Sequence, residues 1–391
     1  MIFKNKKFFF DMFFNMFSFG IYIVTQQIIL MPIMARILPE GDFANIVVYI
    51  SIFAIISNVL GSELGITRQI NEDKENNSNY NRILVILIPI ISIISVISLK
   101  LLNYNCVDII LLTIPVILAN IRLYSAAYFR LNKNFKKVLL QNIIYLIGTI
   151  IGLILFYFLG FVWLPMLVAE AFVLLYDFIT TDIIKEGFKK TINIKKVWKS
   201  FIGLAFISLL VNGITYFDKI LIYPILGEMA VTIYYSTNSM SKVISLITNP
   251  LHGVILSWLK GGDINLKNKL IKLILKINIP LIIIIFILSI PLTYLSLKIL
   301  YPQYIIEATS LIIPTCIALS FSTVATLIKS ILLKYVENKE LIKIYLAYFI
   351  IFVILAIIMS NIFGLLGFVY SNIIAKFILW LSFIILLKKT I

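Results

Sequence analysis

Long apolar runs separated by short polar connections recur along the whole chain. Twelve of them are long enough to cross about 30 Å of hydrocarbon as helices. They fall at residues 11–34, 44–66, 82–102, 107–129, 138–159, 161–183, 201–226, 231–258, 270–296, 307–333, 342–362 and 366–387. The runs are continuous rather than short and alternating, which argues against a β-barrel. The expected fold class is an all-α polytopic membrane protein with twelve transmembrane helices.

Polar residues inside these runs keep to helix faces. In the eighth run Tyr234, Asn238, Ser241, Lys242, Ser245, Asn249 and His252 recur three or four apart, which places them along one face. A charge at mid-depth costs about 2.5–3.5 kcal/mol on insertion scales. Such a stripe therefore faces protein or a wet cavity within the membrane, as transport requires. Before the first run, Lys4-Asn5-Lys6-Lys7 has the look of a signal peptide. The run continues to about Met34 without a small-residue cleavage site, so an uncleaved first span is expected.

Composition narrows the class. Hydrophobic residues make up 61% and charged residues 13%, against about 25% charged in soluble domains. A formal net charge of +16 would suggest nucleic acid in a soluble protein, but here the cations follow topology. One set of alternate connections holds Lys and Arg in abundance, including Arg68, Arg130, Lys185, Lys189, Lys190, Lys195, Lys196, Lys199, Lys260, Lys334 and Lys388. The opposite set holds Arg36, Lys100 and Lys298. By the positive-inside rule both termini are cytoplasmic, and the excess charge needs no nucleic-acid partner. Cys106 and Cys316 are expected to be unpaired, and one His with no Cys/His cluster gives no metal site. Catalytic triads and phosphate-cradling glycine loops are absent, and no cofactor is expected.

A weak internal repeat joins Ile37-Leu38-Pro39-Glu40 to Ile225-Leu226-Gly227-Glu228 and Ile56-Ser57 to Ile244-Ser245. It implies two six-helix halves, residues 1–184 and 201–391, with the lysine-rich segment 185–200 as a cytoplasmic linker and the transport path between the halves.

Two segments carry a family resemblance. PIMARILPEGDFANIVVYISIFAIISNVLGSELGITR (Pro32 to Arg68) has a basic turn at Ala35-Arg36, a Leu-Pro-Glu-Gly link and a glycine-to-arginine spacing from Gly61 to Arg68. FDKILIYPILGEMAVTIYYSTNSMSKVI (Phe217 to Ile244) has an Asp-basic pair, then Leu-Gly, an acid and a Tyr. They resemble the starts of the two halves of Wzx-type polysaccharide (O-antigen) flippases, in the multidrug/oligosaccharidyl-lipid/polysaccharide exporter superfamily. The second link departs from that pattern at Glu228-Met229-Ala230 and Thr232, where a small Gly is common. The resemblance implies two six-helix bundles around a central cavity that opens alternately to either side. It implies undecaprenyl-diphosphate-linked oligosaccharide repeat units, for O-antigen or capsule, as cargo in the bacterial inner membrane. Polysaccharide polymerase and chain-length machinery would be partners beside membrane lipids.

A diphosphate head group brings about two negative charges, which cations in a cavity offset by Coulomb attraction. Arg122, Lys219, Lys242, Lys329 and Lys376 lie inside runs and, with Asn238, are the expected substrate-binding residues. The alternative for Arg122 and Lys329, nearer the cytoplasmic ends, is snorkelling to the interface. Glu63, Glu170, Asp177 and Asp218 are the intramembrane acids; Glu170 and Asp177, seven apart, share one face. Buried carboxylates can exchange a proton or sodium ion, so these four are the ion-coupling candidates for transport driven by either gradient. The alternative is static pairing with the cations, Asp218 with Lys242 for example.

A cation-coupled small-molecule exporter of the same superfamily is the alternative function, although such exporters favour acidic cavities. A membrane glycosyltransferase or polymerase would need a sizeable external loop. Every non-cytoplasmic connection here is about ten residues or fewer, so a non-enzyme is expected.

Overall fold

The structure, a computed structural model, describes residues 6–71, 77–188, 194–240, 264–336 and 338–389. Helices account for nearly all of them, and the described residues contain no strand. In chain order they are α1 (Lys6–Val24), α2 (Met31–Ile37), α3 (Glu40–Ile56), α4 (Glu63–Asn71), α5 (Asn77–Leu101), α6 (Cys106–Leu131) and α7 (Phe135–Leu159). Then follow α8 (Leu164–Thr180), α9 (Ile194–Leu226), α10 (Glu228–Asn238), α11 (Ile264–Leu300), α12 (Ile305–Tyr335) and α13 (Asn338–Lys388).

Where its residues are described, each apolar run lies mostly on helix, the sixth only over Leu164–Thr180 and the eighth over α10 as far as Asn238. Among the described residues eight helices are long and apolar enough to cross a membrane. A ninth is added if Ile194–Gly213 and Thr215–Leu226, bent by 54°, form one span. The eleventh and twelfth runs share α13, which breaks at Gly364 (φ 59°, ψ −140°). That conformation is essentially closed to a residue with a Cβ, and the space around Gly364 is open. Gly364→Ala should therefore cost about 1–3 kcal/mol through backbone strain alone. Thermal unfolding in detergent measures it, and an unchanged midpoint would refute the strained break.

Two of the runs contain a single π-helical turn. Thr25–Leu30 joins α1 to α2, with the Met31 N–H reaching the Gln26 carbonyl. Ser57–Ser62 joins α3 to α4, with the Glu63 N–H reaching Asn58. Such turns insert a residue into the helical ladder and re-aim the side chains beyond them.

By contacts the chain groups into two compact units, Met1–Ile37 with Val48–Ile220, and Leu38–Val47 with Leu221–Ile391. In the first unit α7 packs along α8 and α1, and α6 packs on α8 and α5. The α7–α8 approach is close because α7 offers Gly148 and Gly152, a small-xxx-small ridge. A Cβ on Gly148 would lie 2.7 Å from Ala169 Cα, and one on Gly152 would lie 2.6 Å from Pro165 Cα. Tyr145, Ala169 and Val173 form one buried apolar cluster beside Tyr22 and Ile144.

In the second unit α12 packs against α10, α11 and α13. The segment Leu38–Val47 is part of this unit: the Thr232 hydroxyl donates to the Glu40 carbonyl (3.2 Å), and Phe43 sets its ring edge-on to Tyr235 at 6.0 Å.

Candidate functional site

The first unit encloses a polar network built by four helices. Arg122 on α6 is 4% exposed and Glu170 on α8 is 1% exposed. The Arg122 Nε donates to both Glu170 carboxylate oxygens (3.1 and 2.9 Å), and its Nη2 adds a third bond at 3.1 Å. The rings of Tyr22 and Tyr145 lie 5.0 and 4.8 Å from the guanidinium carbon. Gln26 donates to the Tyr145 hydroxyl. A fork geometry with ring faces beside it suits a desolvated guanidinium.

Seven residues along α8, Asp177 takes a different partner. Gln141 Nε2 donates to its two oxygens at 2.9 and 2.8 Å and to the Arg122 carbonyl at 3.3 Å. The Ser125 hydroxyl adds a further bond. The shared face of Glu170 and Asp177 is buried as its spacing suggests, but only Glu170 has a cation within ion-pairing distance among the described residues. The snorkelling alternative for Arg122 is not what the structure shows, since the side chain is buried and paired.

Helical spacing assembles this network. Tyr22 near the end of α1 and Gln26 in the π-helical turn that follows are four apart, and Arg122 with Ser125 on α6 and Gln141 with Tyr145 on α7 are pairs three or four apart. Sequence reasoning singled out the charges and missed Tyr22, Gln26, Gln141 and Tyr145. The available signal was an amide one turn from a tyrosine inside an apolar run.

In the same unit the face of α9 carrying Asn212, Thr215 and Lys219 meets polar residues of the second run. Asn58 donates to Asn212 Oδ1 (3.1 Å), and Glu63 accepts from Ser208. Lys219 is buried, and its ammonium lies 2.6 Å from Asp218 Oδ1. The partner suggested for Asp218, Lys242, lies outside the described residues.

Arg68, which the sequence marks as a connection cation and the end of a motif, anchors a further cluster. It donates to the Tyr124 hydroxyl (2.8 Å), pairs with Glu186 and lies 5.5 and 5.4 Å from the rings of Tyr124 and Tyr128. Tyr124 donates to Asn81 Oδ1 at 2.7 Å, while Asn81 Nδ2 holds the carbonyls of Ile183 (2.8 Å) and Gly187 (3.1 Å). Residues 183–187 are thereby strapped to the first unit.

In the second unit Asn372 Nδ2 donates to the Tyr234 hydroxyl at 2.8 Å, and Asn238 Nδ2 does so at 3.5 Å. Lys376 follows Asn372 by one turn and is half-buried. The Lys329 ammonium lies 5.2 Å from the Tyr345 ring centre. Lys242 lies outside the described residues, as do Ser241, Ser245, Asn249 and His252. Among the described residues no three His, Cys, Asp or Glu side chains are grouped to hold a metal ion.

No protein-family pattern and no curated protein matches the chain. Solved structures do. The lipid II flippase MurJ in an inward closed conformation is similar at a TM-score of 0.67 and 15% identity, covering 98% of this chain and 86% of MurJ. An inward-facing multidrug resistance MATE family transporter of the MOP superfamily gives a TM-score of 0.66 at 15% identity, with 96% and 98% covered. A MATE in the bent conformation gives 0.59 at 15% identity, with 97% and 94% covered. At such identities the likeness is one of fold, and these neighbours are transporters and flippases rather than enzymes. The chain is a multi-pass membrane protein with the fold that MurJ and the MATE transporters of the MOP superfamily share.

Proposed function

We propose that this chain is a flippase that carries undecaprenyl-diphosphate-linked oligosaccharide units, for O-antigen or capsule, across the bacterial inner membrane. Its two six-helix halves, joined through residues 185–200, would rock about a central cavity. The whole-chain likeness to a lipid II flippase carries this reading, together with an excess of intramembrane cations over acids. In it Lys219, Lys242, Lys329 and Lys376, with Asn238, meet the anionic head group. Arg122, turned to Glu170, steadies α8. Asp177, held by the neutral Gln141 and Ser125, is the carboxylate best suited to cycle a coupling proton or sodium ion; Glu63 and Asp218 are secondary candidates. The polysaccharide polymerase and chain-length machinery would act next to it, with both termini in the cytoplasm.

A flippase-deficient strain tests this. The chain should restore surface polysaccharide, and alanine at Lys219, Lys242 or Lys376 should abolish it while the protein still inserts. Full surface polysaccharide in all three variants would refute the cationic site. The MATE likeness favours a second reading, export of small molecules. Lower accumulation of a cationic dye in expressing cells, with no rescue of polysaccharide, would favour it instead.

A further inference from the structure

The first turns of α9 are built unlike the rest of that helix. Ile194, Val197 and Phe201 are 8%, 2% and 2% exposed, at positions i, i+3 and i+7, so they form one inward face. Lys195, Lys196 and Lys199 are exposed. Trp198, set edge-on to Phe201 at 5.9 Å, is half-buried between the two faces. With 33 residues α9 is longer than the roughly 20 needed to cross the hydrocarbon, and it bends by 54° after Gly213. The apolar run occupies 201–226, which leaves 194–200 at the depth of the phospholipid head groups. A tryptophan beside lysines is the composition suited to that layer.

Among the described residues, no acid pairs with these lysines. Asp182 pairs with Lys185 at 2.7 Å and Glu186 with Arg68. From residue 187 to 217 the sequence contains no Asp or Glu. The Arg68 and Asn81 bonds fix 183–187 against the first unit, so the basic turn begins a few residues beyond a fixed point. Among the described residues the three lysines are exposed and form no ion pair, and the topology expected from the sequence puts them near the cytoplasmic leaflet.

We propose that Lys195, Lys196 and Lys199 form a binding surface for anionic phospholipid head groups of the cytoplasmic leaflet, with Trp198 as its interfacial anchor. The ligand chemistry is a lipid phosphate, and the surface is independent of which cargo the protein carries. Each lysine near an anionic membrane surface contributes about a fivefold preference. The triple change should therefore reduce lipid selectivity by at least tenfold.

The test uses full-length protein reconstituted in phosphatidylcholine vesicles, with spin-labelled phosphatidylglycerol or spin-labelled phosphatidylcholine as probe. Wild-type protein should enrich the phosphatidylglycerol label over the phosphatidylcholine label, and high salt should erase the enrichment. K195Q/K196Q/K199Q should lose it, and K195R/K196R/K199R should retain it. If the glutamine variant does not fold, K195R/K196R/K199R and the salt titration of wild-type protein still decide the matter. Equal enrichment of both labels by wild-type protein, or undiminished enrichment in a folded glutamine variant, would overturn the proposal. Displacement of the lipid label by millimolar inorganic phosphate would do so too, by assigning the surface to free phosphate.

Discussion

Glu170→Ala should destabilise the protein by about 3–5 kcal/mol, because it leaves the Arg122 guanidinium buried without its counter-charge. The pair is buried on both sides, 4% and 1% exposed, so water cannot replace the lost carboxylate. The two tyrosine rings beside Arg122 can retain part of the cation's stabilisation but cannot neutralise it. The double change Arg122→Met with Glu170→Leu removes both charges and restores apolar volume, and it should recover most of the loss. Thermal unfolding of Arg122→Met, Glu170→Leu and the double variant in detergent closes the cycle. Additive losses would show that the contact is energetically idle, whatever its geometry.

Gly148→Val should be strongly disruptive in the first unit. Its Cβ would lie 2.7 Å from Ala169 Cα and 3.2 Å from the Val168 carbonyl. Both are backbone atoms, so no side-chain rotation relieves the clash and α7 must move away from α8. Overpacking of this kind costs about 1–3 kcal/mol. Glu170 directly follows Ala169, so the displacement also breaks its bonds to Arg122. Low folded yield by size exclusion and lost transport are the expected results. Gly20→Val and Gly203→Val, which meet open space, serve as controls and should fold normally. A well-folded Gly148→Val protein would show that the interface tolerates separation.

The positions of the helices were legible because continuous apolar runs leave no other way to satisfy the backbone in lipid. Run length could not reveal the π-helical turns at Thr25–Leu30 and Ser57–Ser62, since one inserted residue barely alters hydropathy. The deep charges were visible as residues, but their partners were not. Arg122 and Glu170 are 48 positions apart and meet only once α6 packs on α8. Gln141, which decides the surroundings of Asp177, looked like an ordinary polar residue near a helix start. Lys219 pairing with Asp218 was hidden for another reason: adjacent helical residues rarely face each other.

Helix α3 belongs to two units at once, residues 40–47 to one and 48–56 to the other. A ribosome therefore releases Glu40 and Phe43 nearly two hundred residues before their partners Thr232 and Tyr235 exist. During that interval the early hairpin must wait in the bilayer with its native neighbours still unsynthesised. Assembly cannot run strictly from first span to last, and truncated products ending before α10 would carry an orphaned segment open to quality-control proteases.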